Sequence, residues 1–167
     1  AALSWMIVEW IAKGKPSALG LVSGVIAGLV AITPACGFSG VMGSIVLGLI
    51  VSPICFVFCS AIKSALGYDD SLDVFGIHGV GGIIGSLLVA VFMSPDLGGT
   101  GYAEGTTMGV QLLTQAIAVG VVAAWSAIAS LIAGYGLSLV LPMRVSADAE
   151  REGVDIRLYS VIYDVVD

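Results

Sequence analysis

The run VMGSIVLGLIVSPICFVFCSAI, residues 41–62, holds 22 residues without a charge and is closed by Lys63. Coiled as a helix with about 1.5 Å of rise per residue, it is long enough to cross a hydrocarbon core about 30 Å thick. It does not read as a barrel strand, which would alternate over about ten residues. Pro53 removes one backbone hydrogen bond, which a membrane helix tolerates where a neighbouring helix satisfies the freed carbonyl.

The same pattern recurs on both sides. Residues 17–33 are free of charge and end at Pro34, residues 74–93 are apolar except for His78, and residues 105–143 carry no charge at all. The last run exceeds one perpendicular crossing, so a long tilted helix is expected. Polar stretches separate the runs. Gly67, Tyr68, Asp69, Asp70, Ser71 and Asp73 form a loop that ends on Asp73 as a helix N-cap, and residues 94–101 form a second loop. At the start, Ala1 to Val8 are already apolar, and Lys13, Gly14, Lys15 and Pro16 read as the end of a helix. The opening has no basic region of a signal peptide and reads as mid-helix, so a C-terminal piece of a longer membrane protein is expected.

Composition agrees. Of 167 residues, 58% are hydrophobic and 11% charged, with mean hydropathy +1.08, whereas soluble domains carry about a quarter of their residues charged. Disorder, nucleic-acid binding and a secreted disulfide scaffold are excluded, and a net charge of -6 would repel phosphates. Gly20, Gly24 and Gly28, then Gly81 and Gly85, then Gly101, Gly105 and Gly109 recur at intervals of four, the spacing at which membrane helices approach closely. Cys36, Cys55 and Cys59 form no CxxC pair and read as small core residues.

Charge placement gives the orientation. If Lys13 and Lys15 define one side, successive spans return Lys63, Arg144, Arg151 and Arg157 to that same side. Basic loops stay in the cytoplasm, so this side is inside. The expected organisation is a transmembrane region, 1–143, followed by a cytoplasmic tail, 144–167.

Inside the spans and clear of their ends, His78 is the one ionisable group. Such groups tend to face a cavity or the bundle interior. A neutral imidazole can give or take a proton near pH 7, although a core histidine bonded to a carbonyl is the alternative. Val74 shares its face one turn away. Haem or metal binding lacks a second ligand one turn from His78, and no base and orienting group accompany the hydroxyls, so neither a cofactor nor an enzyme is expected.

Residues 69–85, DDSLDVFGIHGVGGIIG, resemble the signature of the Amt/Rh ammonium transporters, as do residues 23–37, SGVIAGLVAITPACG, and the tail from Arg144 to Asp155. The resemblance implies an all-α membrane protein: a transmembrane helix bundle of four full spans plus the end of a fifth, one of two inverted halves of an eleven-helix fold. It implies a homotrimer in the cell membrane that conducts ammonium or ammonia through each subunit. His78 would be one of two pore histidines, Ile26 and Val74 pore-lining, and Asp73 at the inner mouth, with Ser23 and Thr33 in polar contacts. The first histidine and the outer ammonium site belong to the other half. A PII signalling protein is the implied partner at the cytoplasmic face; a Rh-type gas or methylamine channel and a non-conducting ammonium sensor are the alternatives.

The orientation predicts that a thiol introduced by Thr100→Cys in the full-length protein reacts with a membrane-impermeant maleimide added outside intact cells. Reaction only after the inner face is opened would reverse the topology.

Overall fold

Charge, glycine and proline end the first helix as the sequence requires. In the computed structural model, which describes residues 1–142 and 145, α1 (Ala2–Lys13) stops at Gly14, whose φ of 78° is left-handed. Ser17 then caps α2 (Ala18–Ile32): its hydroxyl accepts the Gly20 N–H at 2.9 Å, and a 3-10 turn, Thr33–Ala35, carries the chain through Pro34. Next come α3 (Val41–Val57), a π-helical turn (Phe58–Ile62) and α4 (Lys63–Leu66), continuous as one apolar helix. A second π-helical turn (Phe75–Gly79) leads into α5 (Val80–Phe92), a 3-10 turn covers Pro95–Leu97, and α6 spans Met108–Ser138. Among the described residues there is no strand, and four helices are long and apolar enough to cross a membrane.

Two compact units divide the chain, Ala1–Val122 and Ala123–Asp167. The core of the first lies where α1, α2, α3 and α5 meet, built on Trp5, Ala27, Leu47, Val51, Phe56 and Val89. Trp5 and Phe56 stack edge to face with centroids 5.6 Å apart. The second unit is described only through residues 123–142 and 145, which include the later turns of α6; no residue of α6 is buried. The tail from 146 onward, with Arg144 before it, lies outside the described residues.

Pro53 cannot donate to the carbonyl of Leu49 four residues earlier. The Ser4 hydroxyl of α1 donates to that carbonyl instead, at 3.0 Å, from a nearly buried position. The freed group thus finds its partner on a neighbouring helix, as hydrocarbon demands. Small residues close the other contacts. A Cβ on Gly24 would lie 2.6 Å from the Trp5 Cβ and 2.9 Å from the Ala2 Cα, and one on Gly85 would collide with the Ala31 backbone. These glycines join α2 to α1 and α5 to α2.

Three expectations need correction. Gly101 and Gly105 do not pack helices: φ of 91° and 75° place them in the turns before α6, which begins at Met108 rather than at 105 and ends at Ser138 rather than at 143. Cys36 is exposed after the 3-10 turn, so only Cys55 is a fully buried core cysteine. Asp73 accepts the Ile77 N–H through its main-chain carbonyl, but its side chain does not cap the helix; Asp70 does so, because the left-handed φ of 55° at Asp73 turns that side chain elsewhere.

Replacing Ser4 with Ala leaves the Leu49 carbonyl unpaired and should cost about 1–3 kcal/mol. A lowered melting temperature in detergent would register it; an unchanged one would mean that the carbonyl finds another donor.

Candidate functional site

The segment 68–80 carries most of the unusual geometry of the first unit. The chain after α4 brings Asp73 into the left-handed region, which is uncommon for a residue with a side chain. Its N–H donates to the Asp70 carbonyl at 3.0 Å. Asp70 then reaches forward: its carboxylate accepts the Phe75 N–H at 3.3 Å and the Gly76 N–H at 3.1 Å, two of the donors that a helix start leaves open. Lys63, at the start of α4, donates to the Asp70 carbonyl at 3.1 Å and pairs with the Asp73 carboxylate.

Beyond this cap the helix opens as a π-turn rather than an α-turn, with the Val80 N–H reaching back to the Phe75 carbonyl. Such turns hold one residue more than the α-helix and recur at functional positions. The π-turn at Phe58–Ile62 packs beside it: a Cβ on Gly76 would fall 2.5 Å from the Cys59 sulfur, so only glycine lets the two turns meet. Tyr68 joins both, donating its hydroxyl to the Phe58 carbonyl at 3.2 Å and stacking its ring edge to face on Phe75 at 5.8 Å.

His78 sits in the π-turn and is exposed, as is Val74 before it. The ring therefore does not lie in the core of this unit, and among the described residues no carbonyl takes a hydrogen bond from it. Ile26 is half-buried and packs against the core of the unit. Thr33 is apart from them at the end of α2, where its hydroxyl donates to the Leu29 carbonyl at 2.7 Å.

Asp73 and Ser23 share a different environment. Together with Trp5, Glu9, Cys59 and Ser60 they line a cavity of about 150 Å³. Glu9, 4% exposed, is the one buried carboxylate among the described residues. It accepts the Ser17 N–H at 3.0 Å, the Ser17 hydroxyl at 3.0 Å and the Lys13 ammonium at 3.3 Å, fastening the turn between α1 and α2. Lys13 also lies 5.4 Å from the centroid of the Phe56 ring. No group of three His, Cys, Asp or Glu able to hold a metal ion occurs among the described residues.

The structure thus collects Asp73 and Ser23 at one cavity, leaves His78 and Val74 on an exposed face, and keeps Thr33 away from both. Asp70, Lys63, Tyr68 and Glu9 were not anticipated from sequence. A lone lysine shortly before an acidic cluster is the signal that could have found the first two, since an unpaired charge at a membrane end seeks a partner.

Comparison with known proteins locates this arrangement. The family model described as Ammonium Transporter Family matches residues 1–161. An ammonium transporter of Aquifex aeolicus (strain VF5) is 46% identical over 153 residues, 91% of this chain and 36% of that protein. A putative ammonium transporter of Methanothermobacter thermautotrophicus is 41% identical, over 94% of this chain and 39% of its own length. Among solved structures, one named Sensor Amt Protein superposes with TM-score 0.81 at 29% identity, covering 93% of this chain and 38% of that one. The chain therefore spans between a third and two-fifths of the length of these relatives. With a family model matched along nearly all of its residues, the chain belongs to the ammonium transporter family.

Proposed function

We propose that this chain forms part of a transporter that passes ammonium or ammonia through a hydrophobic pore, and that His78 is one of a pair of histidines that handle the proton. The observation that carries the reading is the exposed imidazole on a π-turn within an apolar span: an ionisable side chain left open on this unit needs a second surface to cover it. Val74 and Ile26 line the pore beside it, and Asp73 stands at the inner mouth.

An apolar lumen selects by chemistry. A potassium ion entering it would lose its hydration shell without replacement, which is prohibitively costly. Ammonium has another course: its N–H proton passes to a neutral imidazole nitrogen, and the ammonia left behind carries no charge to desolvate. The imidazolium passes that proton to the paired ring, which gives it up at the inner end of the pore, so that both rings return to the neutral form. The placement of all six Lys and Arg on one side supports an inside C-terminus in the cell membrane. In this reading the protein is a homotrimer, and a PII signalling protein docks at its cytoplasmic face.

A non-conducting sensor is the second reading, favoured by the likeness, at TM-score 0.81, to the solved structure named Sensor Amt Protein. Ammonium-driven current in proteoliposomes separates the two. The full-length protein should carry current, and His78→Ala should lower it by about a hundredfold, the usual scale of a lost proton-transfer group. Current unchanged in His78→Ala would overturn the relay; a wild type with neither current nor ammonium uptake would favour the sensor.

A further inference from the structure

We infer that Asp70 and Lys63 are positioning residues for His78: from the loop before α5 they hold the π-turn in the phase that sets the direction of the imidazole. The inference rests on the proposed role of His78 for its functional consequence, but its geometric content stands on the loop alone.

A π-turn holds one residue more than the α-helix that continues from it. Converting it to an α-turn would move that residue elsewhere and rotate the preceding side chains by about 100° relative to α5, since an α-helix advances 3.6 residues per turn. The direction of His78 is therefore set by whatever keeps the π-turn in place. Its start is held by a linked set of contacts. The Asp70 carboxylate accepts from both Phe75 and Gly76, so these two N–H groups are fixed by one rigid planar group. The Asp70 main-chain carbonyl receives the Asp73 N–H and the Lys63 ammonium, which fixes the residue that supplies the cap. Lys63 also pairs with the Asp73 carboxylate, and so maintains the left-handed backbone that a non-glycine residue would otherwise leave.

Packing cannot replace this network. Gly76 against Cys59 limits how close the two π-turns approach, and Tyr68 against Phe75 fixes a ring, but neither accepts the two N–H groups. With the Asp70 carboxylate gone, the Phe75 and Gly76 N–H groups lose the side-chain acceptor that fixes their direction, and the first turn is free to change its hydrogen-bond pattern. Lys63 acts one step further back: without it the cap remains, but the loop that presents the cap is free to relax.

The test uses the full-length protein in proteoliposomes with two readouts. In the first, Asp70→Asn and Lys63→Gln should lower ammonium-driven current by about tenfold or more, the scale of a misplaced reacting group, while Lys63→Arg restores most of it and all variants elute and melt as folded protein. In the second, the thiol introduced by His78→Cys is treated with a small methanethiosulfonate, and modification at position 78 is followed by peptide mass. Adding Asp70→Asn or Lys63→Gln should change that rate several-fold, since it reads side-chain direction without reference to transport. Unchanged reactivity at position 78 in both variants overturns the inference, whatever the current does. Full current in His78→Ala would remove the relay reading alone and leave the thiol rates to decide the geometry. If Asp70→Asn does not fold, Lys63→Gln decides by the same two readouts.

Discussion

Hydrocarbon offers no water to an unpaired backbone group, and this fold is arranged around that constraint. Among the described residues, the regular helical ladder is broken at Pro53 and at the π-turns of Phe58–Ile62 and Phe75–Gly79, as well as at the 3-10 turn that closes α2. At Pro53 and at both π-turns a polar side chain supplies a bond beyond the helix's own. Ser4 donates to the Leu49 carbonyl beneath Pro53, Tyr68 donates to the Phe58 carbonyl, and Asp70 accepts the N–H groups of Phe75 and Gly76. Polar side chains in this apolar chain are few, and those near the irregular turns are committed to the backbone. His78 is different, because its ring is exposed and engages none of these carbonyls.

The glycines make such service possible. Ser4 reaches Leu49 because α1 lies close to α3, and α1 lies equally close to α2 because Gly20 and Gly24 present no side chain to Glu9 and Trp5. The same economy operates at Gly76, where the absence of a Cβ lets one π-turn sit on the other at Cys59. Close packing, backbone satisfaction and placement of the histidine are one problem solved together: a bulkier residue at any of these glycines would separate a donor from its acceptor.

Much of this was legible in the sequence. Uninterrupted apolar runs marked the four long helices, because length and lack of charge leave few alternatives in a bilayer, and the four-residue spacing marked the true contacts at Gly24 and Gly85. The same spacing misled at Gly101 and Gly105, where glycine serves left-handed turns instead; periodicity alone cannot distinguish a missing Cβ from a positive φ. The cap was assigned to the acid nearest the helix because that is where caps ordinarily stand. Asp73 lost the role to Asp70 through a single backbone angle that composition does not reveal. The π-turns are not legible for a related reason: composition does not show that Asp70 caps the second of them or that Gly76 meets Cys59 on the preceding helix. Of the candidate residues, His78 stands out in the sequence because ionisable groups in apolar spans are rare, while the Lys63 and Asp70 network does not, because charges in a loop usually meet only solvent.

If His78 acts as proposed, its ring, exposed on this unit, faces an enclosed passage between this segment and the rest of the full-length protein. A density map of the full-length protein in lipid nanodiscs, at a resolution that shows ring orientation, tests it most directly. The His78 imidazole should then line a narrow apolar channel, within hydrogen-bond reach of a second histidine from outside this segment. A ring turned toward lipid, or packed against protein with no passage beside it, would contradict it.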